Sequence, residues 1–451
     1  MDRRSFVYLG AAAAATSGIQ RNLLAQGPND QIRVATIGVH GRGMSHVESV
    51  MSLYGLERKS DDPKKARKRE TDLRENVKLA AICDVDEKVS GQKADQIEKA
   101  YGAKVETESD LRRLFERKDI DAVTIATPNH WHALAAIWAM DQGKDVYVEK
   151  PGCHNVHEGR ALINAAKRNN RIVQHGVQLR SSPAVQEAVE HLRKGTIGDV
   201  YLARGLCFKR RPSVGKRPDA PAPANLNWDL WQGPAKERPF STRYVHYDWH
   251  WHWDFGNGDV GNQGIHQTDM CLWGLGVGLP SEIQAMGGKF LWDDDKETPE
   301  TLSTAFYYPE QKKMIEFEVR PWATNKEDGV GVGNIFYGSK GHMIVPNYNS
   351  YEIVFYNDGK KPTAGPKRAD RVGPDVAHVA NWLKAIRARD PKLQNGGVES
   401  AHTASSLAHL GNIAYRVGRR LKFDPNTEKF IGDSEADKLL TREYRAPYVV
   451  T

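Results

Sequence analysis

The chain is poor in cysteine: Cys83, Cys153, Cys207 and Cys271 are the only four in 451 residues, and no two share a CxxC spacing. That excludes a structural zinc ribbon and a disulfide framework. No uninterrupted apolar run reaches the eighteen or so residues that a membrane-spanning helix needs. A mean hydropathy of −0.61 likewise excludes a polytopic membrane protein. Charge of one sign is scarce too, with 64 Lys and Arg against 57 Asp and Glu for a net +7. The basic stretches at 58–68 and 209–217 read as solvated loops, so no nucleic-acid partner is expected. There is no internal repeat. What remains is a globular composition, 39% hydrophobic and 27% charged, over a length suited to two domains with separate cores.

At the N-terminus Arg3 and Arg4 precede Ser5, Phe6 and Val7, an alanine-rich run to Gly18, and small residues suited to cleavage near Ala25. The pattern resembles a twin-arginine export signal, which implies a periplasmic or secreted protein exported folded, without stable membrane insertion. A chance arginine pair in an unstructured start is the competing reading. The expected organisation is a signal and linker over 1–29, a Rossmann domain over 30–176, and a substrate-binding and oligomerisation α+β domain over 177–451.

From residue 32 the pattern alternates. Strands are expected at 32–39, 77–85, 120–126, 145–150 and 171–175, and helices at 44–53, 87–101, 132–142 and 158–168. Such βα alternation predicts a doubly wound parallel sheet. The turn after the first strand, Gly38-Val39-His40-Gly41-Arg42-Gly43, has GxGxxG spacing with His40 in the middle glycine position. Glycines there allow a tight turn and close approach of a pyrophosphate to the next helix's N-terminus. Asp84, ending the second strand, can bond both ribose hydroxyls and repel a 2′-phosphate, which favours NAD over NADP.

Two further strand ends carry Thr127-Pro128-Asn129-His130-Trp131-His132 and Asp145-Val146-Tyr147-Val148-Glu149-Lys150-Pro151. Pro151 cannot continue a central strand, so Glu149 and Lys150 fall at the carboxyl edge that faces the ligand crevice. With these two motifs in this order, the chain resembles the Gfo/Idh/MocA oxidoreductases, related to glucose-fructose oxidoreductase and inositol dehydrogenase. The resemblance implies that Thr127, Pro128, Asn129 and His132 lie along the nicotinamide half of the cofactor. It also implies that Glu149 helps bind it and that Lys150 sits beside the reacting carbon. The second domain is then an open, mainly antiparallel sheet through which a dimer or tetramer can form.

Beyond residue 175 strands are expected at 200–208, 282–287, 301–308, 314–319, 333–338 and 342–345, with helices at 376–388 and 400–417. The segment 244–269 is the richest in chemistry. Asn262, His266 and Asp269 are spaced to share a helix face. His266 matches the family's base, while Asn262 stands where an aspartate is expected and cannot carry its charge. Asp269 or Asp259 are the candidate substitutes. His246, His250 and His252 alternate with Trp249, Trp251 and Trp253. A strand here would put the tryptophans on one face. Aromatic rings stacking on a sugar, with histidines bonding its hydroxyls, account for the mixture without a metal. Trp251, His252, Asn262, Asp269, Gln178 and Arg180 are therefore candidate substrate contacts, and Trp228 and Trp231 candidate covers of the pocket.

Oxidising a secondary alcohol needs a base on oxygen, a cation near the developing alkoxide, and nicotinamide at carbon. His266 is the expected base and Lys150 the expected cation or proton donor. Three functions fit: hydride transfer from a sugar, glycoside or polyol to tightly bound NAD, an NAD-dependent glycosidase working through transient C3 oxidation, and a non-catalytic sugar-binding protein.

Overall fold

The computed structural model describes residues 30–59, 73–322, 325–357, 359–371 and 373–451. The arginine-pair segment and most of the 58–68 stretch lie outside them. Among the described residues no helix is long and apolar enough to cross a membrane.

Six strands, β1 (Ile32–Ile37), β2 (Val77–Cys83), β3 (Glu106–Glu108), β4 (Ala122–Ile125), β5 (Asp145–Val148) and β6 (Val173–His175), form one sheet in the order β3-β2-β1-β4-β5-β6. Every pairing is parallel. The strand order reverses between β1 and β4, which opens a crevice at their carboxyl ends. The central strands read as continuous apolar runs because helices cover both faces. Local signals agree with this: Asp86 caps the helix Glu87–Tyr101 by accepting from the Lys88 and Val89 amides, and Gly102 ends it in the left-handed conformation. The helix after β4 runs Asn129–Asp141 and so starts three residues before the expected position. Pro128, with φ of −57°, sets its entry, so the motif beginning at Thr127 forms its first turn.

The second sheet has ten strands: β7 (Val200–Phe208), β8 (Glu282–Gly288), β9 (Thr301–Tyr308), β10 (Lys313–Arg320), β11 (Val332–Gly338), β12 (Gly341–Asn347), β13 (Ser350–Phe355), β14 (Thr363–Ala369), β15 (Leu421–Asp424) and β16 (Lys429–Phe430). Their order is β14-β13-β12-β11-β7-β10-β9-β8-β15-β16. All pairs are antiparallel except β7 with β10. The expected fold class, a Rossmann layer followed by an open, mainly antiparallel sheet, is the one observed. The last four strands were not anticipated. β14 carries Gly365 and Pro366 on an exposed edge and shows no apolar alternation. The helix Pro183–Arg193 was also missed, although Ser182 as its cap and Pro183 at its first position are readable signals.

The chain does not stay with its second sheet. The helix Asp375–Ala388 packs into the Rossmann core beside Val34, Val47 and Val50. Its Trp382 is fully buried, edge-on to Tyr147 with centroids 5.8 Å apart. Trp382→Ala is expected to cost about 3–5 kcal/mol, read as a lowered urea midpoint by circular dichroism.

Candidate active site

A cavity opens at the carboxyl edge of β1, β2, β4 and β5, lined by Gly38, His40, Gly41, Arg42, Asp84, Thr127, Pro128, Asn129, His132, Glu149 and Lys150. Of the expected cofactor contacts only Gly43 is not on its wall. Gly43 acts from beneath: a Cβ there would lie 2.0 Å from the Gly38 carbonyl oxygen, whereas one on Gly41 meets nothing within 4 Å. Gly38 has φ of +80° and lies against Ala126 and Thr127. Those two glycines are therefore demanded by geometry, and the middle position accepts His40 without a positive φ. The helix Arg42–Tyr54 begins with no side-chain cap and no acidic residue in its first turn. Its amides suit a pyrophosphate.

Asp84 accepts from the Val39 amide (2.9 Å) and the Asp86 amide (3.1 Å). Burial raises its pKa against those bonds. These features fit a dinucleotide, and the Asp84 carboxylate on the cavity wall is of a kind that suits ribose hydroxyls.

Glu149 is buried at the end of β5. Arg42 Nε donates to it at 2.7 Å and His46 Nε2 lies 3.0 Å away. Burial alone would raise its pKa, but Arg42, His46 and Lys150 together hold it well below the usual carboxylate range. Arg42 also bonds Asp375 at 2.5 Å, which ties the glycine turn to the late helix. His132 links the two motif loops, with Nδ1 2.6 Å from the Pro151 carbonyl and Nε2 2.8 Å from that of Thr127. His130 is bound to the Trp231 carbonyl (2.9 Å) and does not line the cavity.

Lys150 Nζ donates to the Asn262 carbonyl at 2.7 Å and to its Oδ1 at 3.3 Å. Burial, followed by the cations Arg42, Arg211 and Lys209, outweighs Glu149 and lowers its pKa to about 8. Asn262 lies in a π-helical turn, Val260–Gly264, that leads into the helix Ile265–Leu275 carrying His266. His266 is buried with Nδ1 unbonded, and burial and then Lys150 push its pKa well below the ordinary value. It is a neutral ring.

Other expected substrate contacts lie elsewhere. Asp269 accepts from Arg180 Nε at 2.8 Å and from its Nη2 at 2.7 Å, and neither residue lines the cavity. The strand reading of the His/Trp run is corrected: residues Asp248–Trp251 form a 3-10 turn. Trp251 lies beneath Arg211 (5.2 Å) and His252 is buried edge-on to Tyr244 (4.8 Å). Gln178 is buried, off the cavity wall, with Oε1 unbonded. Trp231 does line the cavity, with Trp228 stacked on it at 4.7 Å. His246, Tyr247, Trp249 and His250 join it on the wall. The Arg211–Asp259 pair (2.6 Å) behind Tyr247 went unrecognised in the sequence, where 48 residues separate the partners. Among the described residues no cluster of His, Cys, Asp and Glu is placed to hold a metal ion.

A parallel sheet with a glycine turn, a carboxylate at the end of β2 and a lysine facing one crevice defines an NAD-binding oxidoreductase scaffold. Residues 32–177 match the family model described as "Oxidoreductase family, NAD-binding Rossmann fold", and 206–284 with 363–450 match "Oxidoreductase family, C-terminal alpha/beta domain". The chain belongs to the Gfo/Idh/MocA family. It is 37% identical over 146 residues, 32% of its length, to a glycosyl hydrolase family 109 protein of Shewanella baltica. It is 37% identical over 144 residues, 31% of its length, to an alpha-N-acetylgalactosaminidase of Shewanella oneidensis. The matched stretch spans 27% of either relative's length. Among solved structures, an oxidoreductase domain protein from Kribbella flavida superposes with a TM-score of 0.65 at 18% identity, over 87% of this chain and 99% of that one. The WlbA dehydrogenase from Bordetella pertussis, in complex with NADH and UDP-GlcNAcA, gives 0.62 at 17%, over 87% and 99%.

Gly43→Ala is expected to weaken NAD binding about tenfold or more, because the new methyl displaces the Gly38 peptide. Calorimetric titration with NAD checks this.

Proposed function

We propose that this chain is an exported oxidoreductase that takes hydride from a secondary hydroxyl of a sugar, glycoside or polyol. The observation that carries the reading is Lys150: an amine at the crevice edge of β5, tuned to about pH 8 and aimed at Asn262 between the cofactor cavity and the second domain. NAD in the crevice supplies a two-electron acceptor. The chain's own residues handle the proton. With its pKa lowered from 10.5 to about 8, the Lys150 amine accepts the hydroxyl proton, and the resulting ammonium returns it when hydride goes back to a carbonyl. His266 suits a different role from the expected base. Protonating it would create a second buried cation beside Lys150, and the ring lies off the cavity wall with Nδ1 buried, so it stays neutral and supports the site from behind. Aromatic residues of the second domain on the cavity wall, Trp231 and Trp249 among them, suit a carbohydrate. Arg3 and Arg4 support export, and the open second sheet supports a homo-oligomer.

A second reading, redox-assisted glycoside hydrolysis, is favoured by the names of the two Shewanella relatives. In it, oxidation at C3 acidifies the C2 proton, the aglycone is eliminated, water adds and the hydride returns. The non-catalytic reading draws less support, since both geometrically required glycines and Lys150 are in place.

Incubation with an aryl-glycoside panel separates the readings: phenol release without net NADH supports the glycosidase, and a ketosugar supports the oxidoreductase. Lys150→Ala is expected to lose about 10² to 10⁴ in turnover while keeping bound NAD. In wild type the single-turnover oxidation rate should rise with pH through about 8, since the neutral amine is the acceptor. A rate falling above that pH would instead make the ammonium the working form.

A further inference from the structure

Between β7 and the turn at Val260 the chain makes an excursion, residues 209–259, that contributes no strand to either sheet. It is fastened on both sides of the dinucleotide crevice. On the β2 side the Asn227 amide donates to the Val85 carbonyl (3.1 Å), the Glu87 amide to the Asn225 carbonyl (2.9 Å), and Asn225 Nδ2 to Asp86 Oδ1 (2.7 Å). On the β4 side the His130 amide donates to the Phe255 carbonyl (3.2 Å) and Trp131 Nε1 to that of Leu230 (3.0 Å). Packing there leaves no slack, as a Cβ on Gly233 would lie 2.2 Å from the Trp131 ring.

Between the two anchors, His246 of the excursion stacks on His40 of the glycine turn, with centroids 4.3 Å apart and planes 12° from parallel. Its Nε2 lies 3.2 Å from Asp86 Oδ2. Both rings line the cavity, together with Gly38 and Asp84. Burial and then His246 keep the His40 pKa below its ordinary value, so it stacks as a neutral ring. A middle glycine would offer no ring for His246 to meet, so the substitution at this position and the reach of the excursion are two halves of one contact.

We propose that the His40–His246 stack latches this excursion as a roof over the crevice, which holds NAD as a resident group that does not exchange with solvent during turnover. The proposal rests on reading the crevice as an NAD site. Fastening on two sides makes the excursion a fixed cover, and the latch closes it over the stretch between Gly38 and Asp84. A cofactor retained in this way would supply a hydride acceptor that stays in place for the return step, which suits both transfer between two carbohydrates and redox-assisted hydrolysis.

The test loads purified protein with NAD, removes free cofactor, chases with excess isotopically labelled NAD, and reads the bound fraction by mass spectrometry after acid release. Circular dichroism of each variant verifies the fold. Wild type should exchange slowly, and His246→Ala should exchange about tenfold faster or more. His40→Gly, which restores the glycine and removes the lower ring, should match it, while His246→Phe, which keeps the stack, should stay slow. Slow exchange in all four proteins overturns the latch. Exchange in wild type as fast as in His246→Ala overturns the roof while leaving the NAD site intact. Wild type that holds no NAD, either as purified or after loading, overturns both the roof and the reading of the crevice.

Discussion

Burying the Glu149 carboxylate at the end of β5 would cost several kcal/mol if it stood alone, and the architecture around the crevice is arranged to prevent that. Arg42 and His46, both from the first helix, converge on it at 2.7 and 3.0 Å. The same guanidinium reaches Asp375, so the glycine turn, β5 and the helix Asp375–Ala388 meet at one buried charge. Even the loop after β6 is shaped by it: a Cβ on Gly176 would lie 2.9 Å from the Glu149 carboxyl carbon. With Glu149 held anionic, Lys150 next to it feels one favourable charge against several unfavourable ones. Its pKa then settles near 8 instead of collapsing further.

That balance accounts for a division of labour between Lys150 and His266. Both are withdrawn from water, and Lys150 lowers the affinity of His266 for a proton, while Lys150 itself has Glu149 beside it and a carbonyl at 2.7 Å. One proton in this space belongs on the amine. Asn262 contributes by position: the π-helical turn presents its backbone and side-chain oxygens together, which orients Nζ without adding a charge. An aspartate there would raise the lysine pKa.

The Rossmann layer was legible because each central strand is a continuous apolar run and each turn carries its own chemistry. The glycine spacing, Asp84, the motif at Thr127 and the lysine before Pro151 all depend on neighbours within a few residues, so they could be placed from local pattern. What could not be read depends on partners far away in sequence. Arg180 and Asp269 looked like two free polar groups and are one buried pair, 89 residues apart. The alternating His and Trp residues mimic a strand, yet Trp251 finds Arg211 and His252 lies 3.6 Å from Glu297, and the backbone turns to meet them. His40 departs from a glycine motif because His246, 206 residues later, lies on it.

The most direct measurement of the central claim is the titration of the Lys150 side chain itself, by NMR of protein carrying ¹³C-labelled lysine, with Lys150→Arg used to assign the resonance. An ammonium that loses its proton near pH 8 is the predicted result. A titration near the ordinary lysine value of about 10.4 would contradict it, because an amine that stays fully protonated at neutral pH cannot accept the substrate's proton.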